Sequence, residues 1–392
     1  MYKKKVLMIQ TSNSGVAYWR LYNFWKAMHR NNLADCRVLW WQKDMRQVHN
    51  WQSDIVDPMY MARMTGEMNA YARESDVVVF QSLHTEAALS VFYALKDAYP
   101  RIPIVSESDD DITDTPTYNP AFAGYRPGGI FLGRQLAQFK HSDAMIVSTP
   151  YLREVYEDYN PNIYAIPNCI DNELWGKVNH KKKPGIRIGW AGGASHDEDL
   201  RIVEPVVHEI LDKHQDVTFV FVHGIPQFLK NIERVECVRK FARIDKYPQH
   251  LASQGIDIGL APLVDNKFNR AKTNLRWLEM AALGIPTVAS RVGHFAQTTN
   301  DGIDILMCDS PEDFTRNLSR LITNRDLRKS IGKAAHVRVQ TDFNVDNVVR
   351  EYVRVLEEVI ARGPVVSAPE QNIGYDANVA ALPLLEMPTV DQ

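Results

Sequence analysis

The stretch PLVDNKFNRAKTNLRWLEMAALGIPTVAS (262–290) gathers the residue types best suited to chemistry. Lys267, Arg270 and Lys272 fall in a polar loop that follows an apolar run and leads through Asn274 into a helical pattern. Free N–H groups and the macrodipole favour an anion at a helix start, and cations beside it make a diphosphate site. Glu279 follows Lys272 by seven residues, two turns along about the same face if one helix spans 271–283. A carboxylate there can accept two hydrogen bonds from adjacent ribose hydroxyls. The competing reading is a surface helix with solvated charges; the combination, not any single residue, favours the ligand.

Other candidates sit where apolar runs end. The opening run leads into QTSNSGVAYWR (10–20), in which Gly15 permits close backbone approach and a helix from Val16 aims its N-terminus at a cleft. The spacing is not GxGxxG, which disfavours a dinucleotide site. Tyr18, Trp19 and Arg20 are candidates for acceptor contacts, with packing as the alternative for the aromatics. His84, in QSLHTE, follows another run. Asp109, Asp110 and Asp111 follow a third, and three adjacent carboxylates repel unless they are solvated, bonded to amides or neutralised. Loop capping, binding of an acceptor hydroxyl and a divalent metal all fit them.

These residues need a scaffold, and the periodicity supplies one. β-branched runs at 6–10, 37–41, 77–80, 102–106, 145–149 and 163–167 alternate with helical spacing, for example at 16–30 and 84–98. A second round follows at 187–192, 218–223, 256–263, 287–290 and 305–308, with helical spacing at 199–214, 271–283 and 326–338. Such alternation predicts an α/β fold of two doubly wound parallel sheets covered on both faces, with ligands beyond the carboxyl ends of the strands. The polar stretch 171–185 separates the rounds. The expected domains are 1–170 and 171–342, then a helix at 343–362 and a flexible tail at 363–392. In that tail ALPLLEMP (381–388) has a partner-docking peptide as its alternative reading.

Composition narrows the classes. A chain of 392 residues suffices for two cores, and no apolar run reaches the ~18–20 residues of a membrane span. The apolar stretch after the basic start MYKKK is too short for a signal peptide and reads as a strand. Cys36, Cys169, Cys237 and Cys308 lie far apart, which argues against zinc or a disulfide framework and fits a reducing cytoplasm. A net charge of −3 does not mark a polyanion binder. The clusters at Lys3–Lys5 and Lys181–Lys183 read as solvated lysines, with peripheral membrane or nucleic-acid contact as the alternative.

Several motifs, in order, resemble one family. IYAIPNCIDNELW (163–175) is similar to its "IPNGVD" segment, GWAGGASHDEDL (189–200) to "GWxGSxSHxxDL", SGVAYWRLYNFWKAM (14–28) to "GVxxYR", and SESDDDITDTPTYNP (106–120) to an acidic "DDDL" loop. Together they resemble a branch of the retaining GT-B glycosyltransferases, the large family that includes sucrose synthases and mannosyltransferases, over about residues 5–360. The resemblance implies two Rossmann-like domains facing a central cleft, with the final helix crossing back to the first. It also implies sugar transfer from a nucleoside diphosphate sugar with retention, with 1–170 on the acceptor side and 171–342 on the nucleotide-sugar side. No metal or cofactor is then required, which ranks acceptor binding first and metal last for the three aspartates. A metal-dependent GT-A enzyme would carry its DxD on a single domain.

The carry-over places His84 near the transferred sugar, Tyr247, between Lys246 and Pro248, near the base, and GHFAQTTNDG (293–302) at the donor. The family pairs two glutamates eight residues apart; Glu279 matches the second, but Ala271 stands at the first. The family's "GR…KG" cations are absent and GGASHDEDL takes their place. Charge on the phosphates then falls to Arg270, Lys272 and Lys267 with the amides of Gly192 and Gly193, while Ser195 caps the next helix and His196 faces the cleft. Acceptor readings include a saccharide, a lipid-linked sugar and a hydroxymethylated DNA base. A nucleotide-sugar epimerase and a non-catalytic nucleotide-sugar scaffold are the alternatives.

Overall fold

The computed structural model describes residues 3–10, 15–40, 66–81, 85–240 and 242–365. Two six-stranded sheets, parallel throughout, carry the chain. The first comprises β1 (Lys5–Gln10), β2 (Asp35–Trp40), β3 (Val77–Gln81), β4 (Ile104–Ser108), β5 (Ala144–Val147) and β6 (Ile163–Ala165) in the order β2-β1-β3-β4-β5-β6. The second comprises β7 (Ile186–Ala191), β8 (Val217–Val222), β9 (Val235–Val238), β10 (Ile258–Ala261), β11 (Thr287–Ser290) and β12 (Leu306–Cys308) in the order β12-β11-β10-β7-β8-β9. Strand order reverses between β1 and β3 in one sheet and between β7 and β10 in the other. At such a switch point the flanking loops diverge and open a crevice at the carboxyl ends.

Central strands such as VVVFQ in β3 and IVSES in β4 are buried along their whole length. Only helices on both sheet faces can bury alternate side chains on both sides. Every strand expected from the apolar runs is present. The sequence reading missed β9, whose VECV is four residues long and half-exposed at a sheet edge. Such a strand shows neither alternation nor an apolar run.

The helix Gly15–Arg30 contains a π-helical turn at Tyr18–Tyr22. The helix Val345–Arg362, capped by Asn344 and ended by Gly363 at φ 73°, crosses back onto it. Phe24 stacks on Tyr352 with centroids 4.6 Å apart, and Val349, Val355, Leu356 and Val359 join the core beneath the first sheet. The two chain crossings pair with each other, since Ile170 N–H donates to Phe343 O and Val345 N–H to Ile170 O. Arg30 ties them further by reaching Asp171 (3.1 Å), Glu173 (2.9 Å) and Asp346 (2.6 Å). Of the tail expected at 363–392, residues 363–365 are described, with Val365 N–H donating to Asp143 Oδ1 (2.9 Å), and the rest, including ALPLLEMP, lies outside the described residues.

Candidate functional site

A cavity of about 1050 Å³ opens between the carboxyl ends of the two sheets. From the first half it is lined by Gln10, Gly15, Tyr18 and Trp19, and by Asp109 and Asp110 beyond β4. The second half contributes Gly192 and Gly193 beyond β7, His196, Tyr247, and Lys272, Arg276 and Glu279 beyond β10.

The helix expected over 271–283 is broken. Lys267–Arg270 forms one turn capped by Asn266, and Leu275–Ala282 starts again after Asn274. The first half clasps the break: Thr149 Oγ1 donates to Ala271 O (3.2 Å), Asn168 Nδ2 to Thr273 Oγ1 (3.1 Å), and Lys272 Nζ to Asp110 Oδ1 (2.6 Å). Lys272 therefore precedes the helix that carries Glu279, and the shared-helical-face argument does not hold. The cavity brings the two together all the same.

Other expected cations do not reach it. Arg270 is exposed and forks onto Asp265 (2.6 and 3.0 Å), and Lys267 is exposed on the same turn; neither lines the cavity. Beside Lys272, the half-buried cation that lines it is Arg276, which is not foreshadowed in the sequence. Its Nε donates to Ala191 O (3.2 Å) and its guanidinium lies 5.3 Å from the Trp190 ring centroid. Burial holds its pKa below the usual arginine value. One helical turn beyond Lys272, that position faces inward because the helix restarts at Leu275.

The loop after β7 must be glycine at Gly192: a Cβ there would lie 2.5 Å from Trp190 Cζ2 and 3.1 Å from Arg276 Nη2. Gly193 has open space around it. Ser195 caps nothing, because the N-cap position of Asp197–Arg201 is His196 and no side chain bonds the first turn. His196 is 2.7 Å from Asp199 Oδ2, and burial, with Arg276 second, pushes its pKa down to about 4. The neutral ring then donates Nδ1–H to Asp199 and keeps Nε2 as an acceptor.

Glu279 is 6 % exposed, and its Oε2 accepts a hydrogen bond from Tyr247 Oη (3.1 Å). Burial raises its pKa to about 7 against the opposing pull of Tyr247 and Arg276. Asn274 is buried and donates to Thr298 Oγ1 (2.9 Å), outside the cavity lining.

The three aspartates divide. Asp111 is buried in a turn, its Oδ1 accepting from Thr113 N (2.9 Å) and Oγ1 (2.6 Å), and does not line the cavity. Asp109 and Asp110 do. Burial, then Asp110 and Glu107, raise Asp109 to about 7. Among the described residues no group of three or more His, Cys, Asp or Glu side chains is arranged to hold a metal.

Arg20 lies beneath the cavity rather than in it. It is fully buried and pairs with Glu107 (Nη2 to Oε1, 2.5 Å), Ile166 O (2.8 Å) and Asn168 Oδ1 (3.0 Å). This network supports the floor, so the expected acceptor contact at Arg20 does not arise. Gln10 Oε1 and Tyr18 Oη are buried and unpartnered on the cavity side of that floor. A polar residue ending an otherwise apolar central strand was the available signal for Gln10. His84 lies outside the described residues.

A family model described as glycosyl transferase-like matches residues 207–354. No curated protein sequence matches the chain. Among solved structures, Anabaena HepE in complex with UDP and glucose is 14% identical, covers 90% of this chain and 99% of its own, and superposes with a TM-score of 0.62. Sucrose-phosphate synthase from Thermosynechococcus elongatus gives 12% identity, 92% and 100% coverage and a TM-score of 0.66. The fold is thus GT-B, with two Rossmann-like halves facing a cleft. A putative UDP-N-acetylglucosamine 2-epimerase from Listeria monocytogenes shares the architecture at 13% identity, 95% and 100% coverage and a TM-score of 0.57.

Proposed function

We propose that the chain transfers a glycosyl group from a nucleoside diphosphate sugar to an acceptor hydroxyl. One observation carries this reading: two cations, Lys272 and Arg276, and a buried carboxylate, Glu279, line a single cavity between two Rossmann-like halves. That set matches the charge pattern of a nucleoside diphosphate, with cations for the phosphates and a carboxylate for the ribose diol. HepE, of the same fold, binds UDP and glucose, which favours a uridine nucleotide.

In the proposed reaction the bond between the anomeric carbon and the β-phosphate oxygen breaks, and its electron pair stays on the phosphate. Lys272, Arg276 and the amides at Gly192 and Gly193 stabilise the charge that gathers there. The acceptor oxygen bonds the anomeric carbon from the same face, and its proton passes to the leaving phosphate, so configuration is retained without a strong protein base. His196 Nε2 accepts a sugar hydroxyl, and Asp109 and Asp110 meet the acceptor. The pairing of Ile170 with the 343–345 crossing marks the hinge on which the halves, divided near 170 and 342, close. No metal is needed for these steps.

A saccharide, a lipid-linked sugar and a hydroxymethylated DNA base remain the acceptor classes. No helix among the described residues is long and apolar enough to cross a membrane, and the four cysteines are free, in keeping with a cytoplasmic enzyme. The epimerase reading draws on Asp109, an acid–base group near neutrality inside the cavity, and on the Listeria neighbour. Product analysis with labelled UDP-glucose and UDP-N-acetylglucosamine separates the readings. Sugar on an acceptor, or slow release to water, supports transfer; an isomerised donor without acceptor supports epimerisation; bound but unchanged donor supports the scaffold.

A further inference from the structure

We infer that a second ligand site, for a small soluble phosphate monoester, lies in the groove between the interdomain connector and the helix Arg325–Asp342. The groove has a volume of about 670 Å³, within the range of small-molecule pockets. Lys329, Lys333, His336 and Gln340 line it from one helix; their spacing of four, three and four puts them on one face. His180 and Asn172 line it from the connector, and no carboxylate does. Among the described residues no ion pair or side-chain hydrogen bond engages Lys329 or Lys333.

A second observation comes from the wall. Trp175 lines the groove, is 2 % exposed, and its Nε1–H has no partner. A buried donor without an acceptor is costly, and a ligand oxygen in the groove would relieve that cost. His336 Nδ1 lies 3.1 Å from both Ala281 O and Ala282 O, so it donates there and fixes the ring at the end of Leu275–Ala282. Burial and His336 lower the pKa of His180, which an anion between the two rings would reverse. Two lysines, the His180 imidazole and an indole N–H, with no acid among the lining residues, form a donor set matched to a phosphate dianion.

The groove is separate from the main cavity but touches its packing. Trp175 packs against Trp19 and Tyr247, with centroids 6.2 and 6.0 Å away, and both of those rings line the main cavity. One indole thus stands between the two sites. This inference does not depend on the glycosyl-transfer reading, since the groove contains none of the proposed donor residues.

Calorimetric titration of the full chain with glucose 6-phosphate and with inorganic phosphate, at fixed ionic strength and with glucose as control, tests it. Saturable binding of the phosphates but not of glucose is expected. It should weaken at least tenfold in a Lys329→Ala, Lys333→Ala double variant, whose positions are exposed, and severalfold in Trp175→Phe, which keeps the ring and removes the donor. It should persist in Lys272→Ala, which removes a phosphate cation from the main cavity. Unchanged affinity in the lysine double variant, no saturation up to millimolar ligand, or loss in Lys272→Ala would overturn the assignment. So would capture by phosphatidic acid vesicles without binding of the soluble ester.

Discussion

Lys272 Nζ donates to Asp110 Oδ1 across the cleft at 2.6 Å, the cation from one half and the carboxylate from the other. Under the proposed function an incoming diphosphate must take Lys272 from Asp110, which makes Asp110 a competitor for the donor. Its side chain is 42 % exposed, so solvent screens the pair and the competition is modest. Asp110→Asn is expected to tighten nucleoside diphosphate binding about two- to fivefold, in line with an exposed pair worth ~0.5–1 kcal/mol. Lys272→Ala is expected to weaken it by at least tenfold. Weaker binding in Asp110→Asn would show that Asp110 helps the donor instead.

Arg276 and Arg270 make opposite predictions. Arg276 lines the cavity, and losing a donor aimed at developing charge costs ~10²–10³ in turnover. Arg270 is exposed and paired with Asp265, so Arg270→Ala should change kcat/KM less than twofold. Steady-state kinetics on the two alanine variants decide between them. A severe Arg270 effect with a mild Arg276 effect would reverse the assignment of the phosphate cation.

Folding holds Glu279 and Asp109 protonated up to about 7, above ordinary values of 4.5 and 3.8. Between those limits the folded chain binds more protons than the unfolded one. The stability these groups contribute is complete below their ordinary values and is lost as pH rises through about 7. His196 and His294, held near 4 by burial, act in the opposite sense below 6.5. The informative quantity is therefore the difference between wild type and Glu279→Gln. Its thermal midpoint should fall less steeply than that of wild type between pH 5 and 8; parallel curves would remove Glu279 as a buried acid.

Arg20 predicts a structural phenotype. Removing it takes the buried cation from beside Glu107, 1 % exposed, and breaking a buried ion pair from one side costs ~3–5 kcal/mol. Arg20→Met should lower the unfolding free energy by that order, and adding Glu107→Leu should restore much of it. Denaturant unfolding of both variants measures this. A stable Arg20→Met with impaired catalysis would instead place the guanidinium at the acceptor.

Much of the fold was legible because parallel strands buried on both faces write themselves as continuous apolar runs, as in β3 and β8. The edge strand β9, half-exposed and short, left no such trace. Among the residues that line the cavity, Lys272 and the Gly192–Gly193 turn could be read because each follows a strand end, Glu279 from its distance to Lys272, and Tyr247 only through the family resemblance. Arg276 could not. Which of Arg270 and Arg276 faces inward depends on the break at Ala271–Asn274, and that break is set by bonds from Thr149, Asn168 and Asp110, more than a hundred residues away. The aspartates divided for a similar reason: Thr113 draws Asp111 into a local turn and leaves its neighbours to the cavity.

The most direct test of the central claim is thermal stabilisation of the full chain by UDP, ADP, GDP and their sugars, without added metal. Binding to the folded state alone at a hundredfold excess over Kd stabilises by ~2.7 kcal/mol, a shift of several degrees. A rise with one base family that disappears in Glu279→Ala, with that variant's own fold intact, is the predicted result. No shift with any nucleotide, or a shift that survives in Glu279→Ala, would contradict a nucleoside diphosphate site in this cavity.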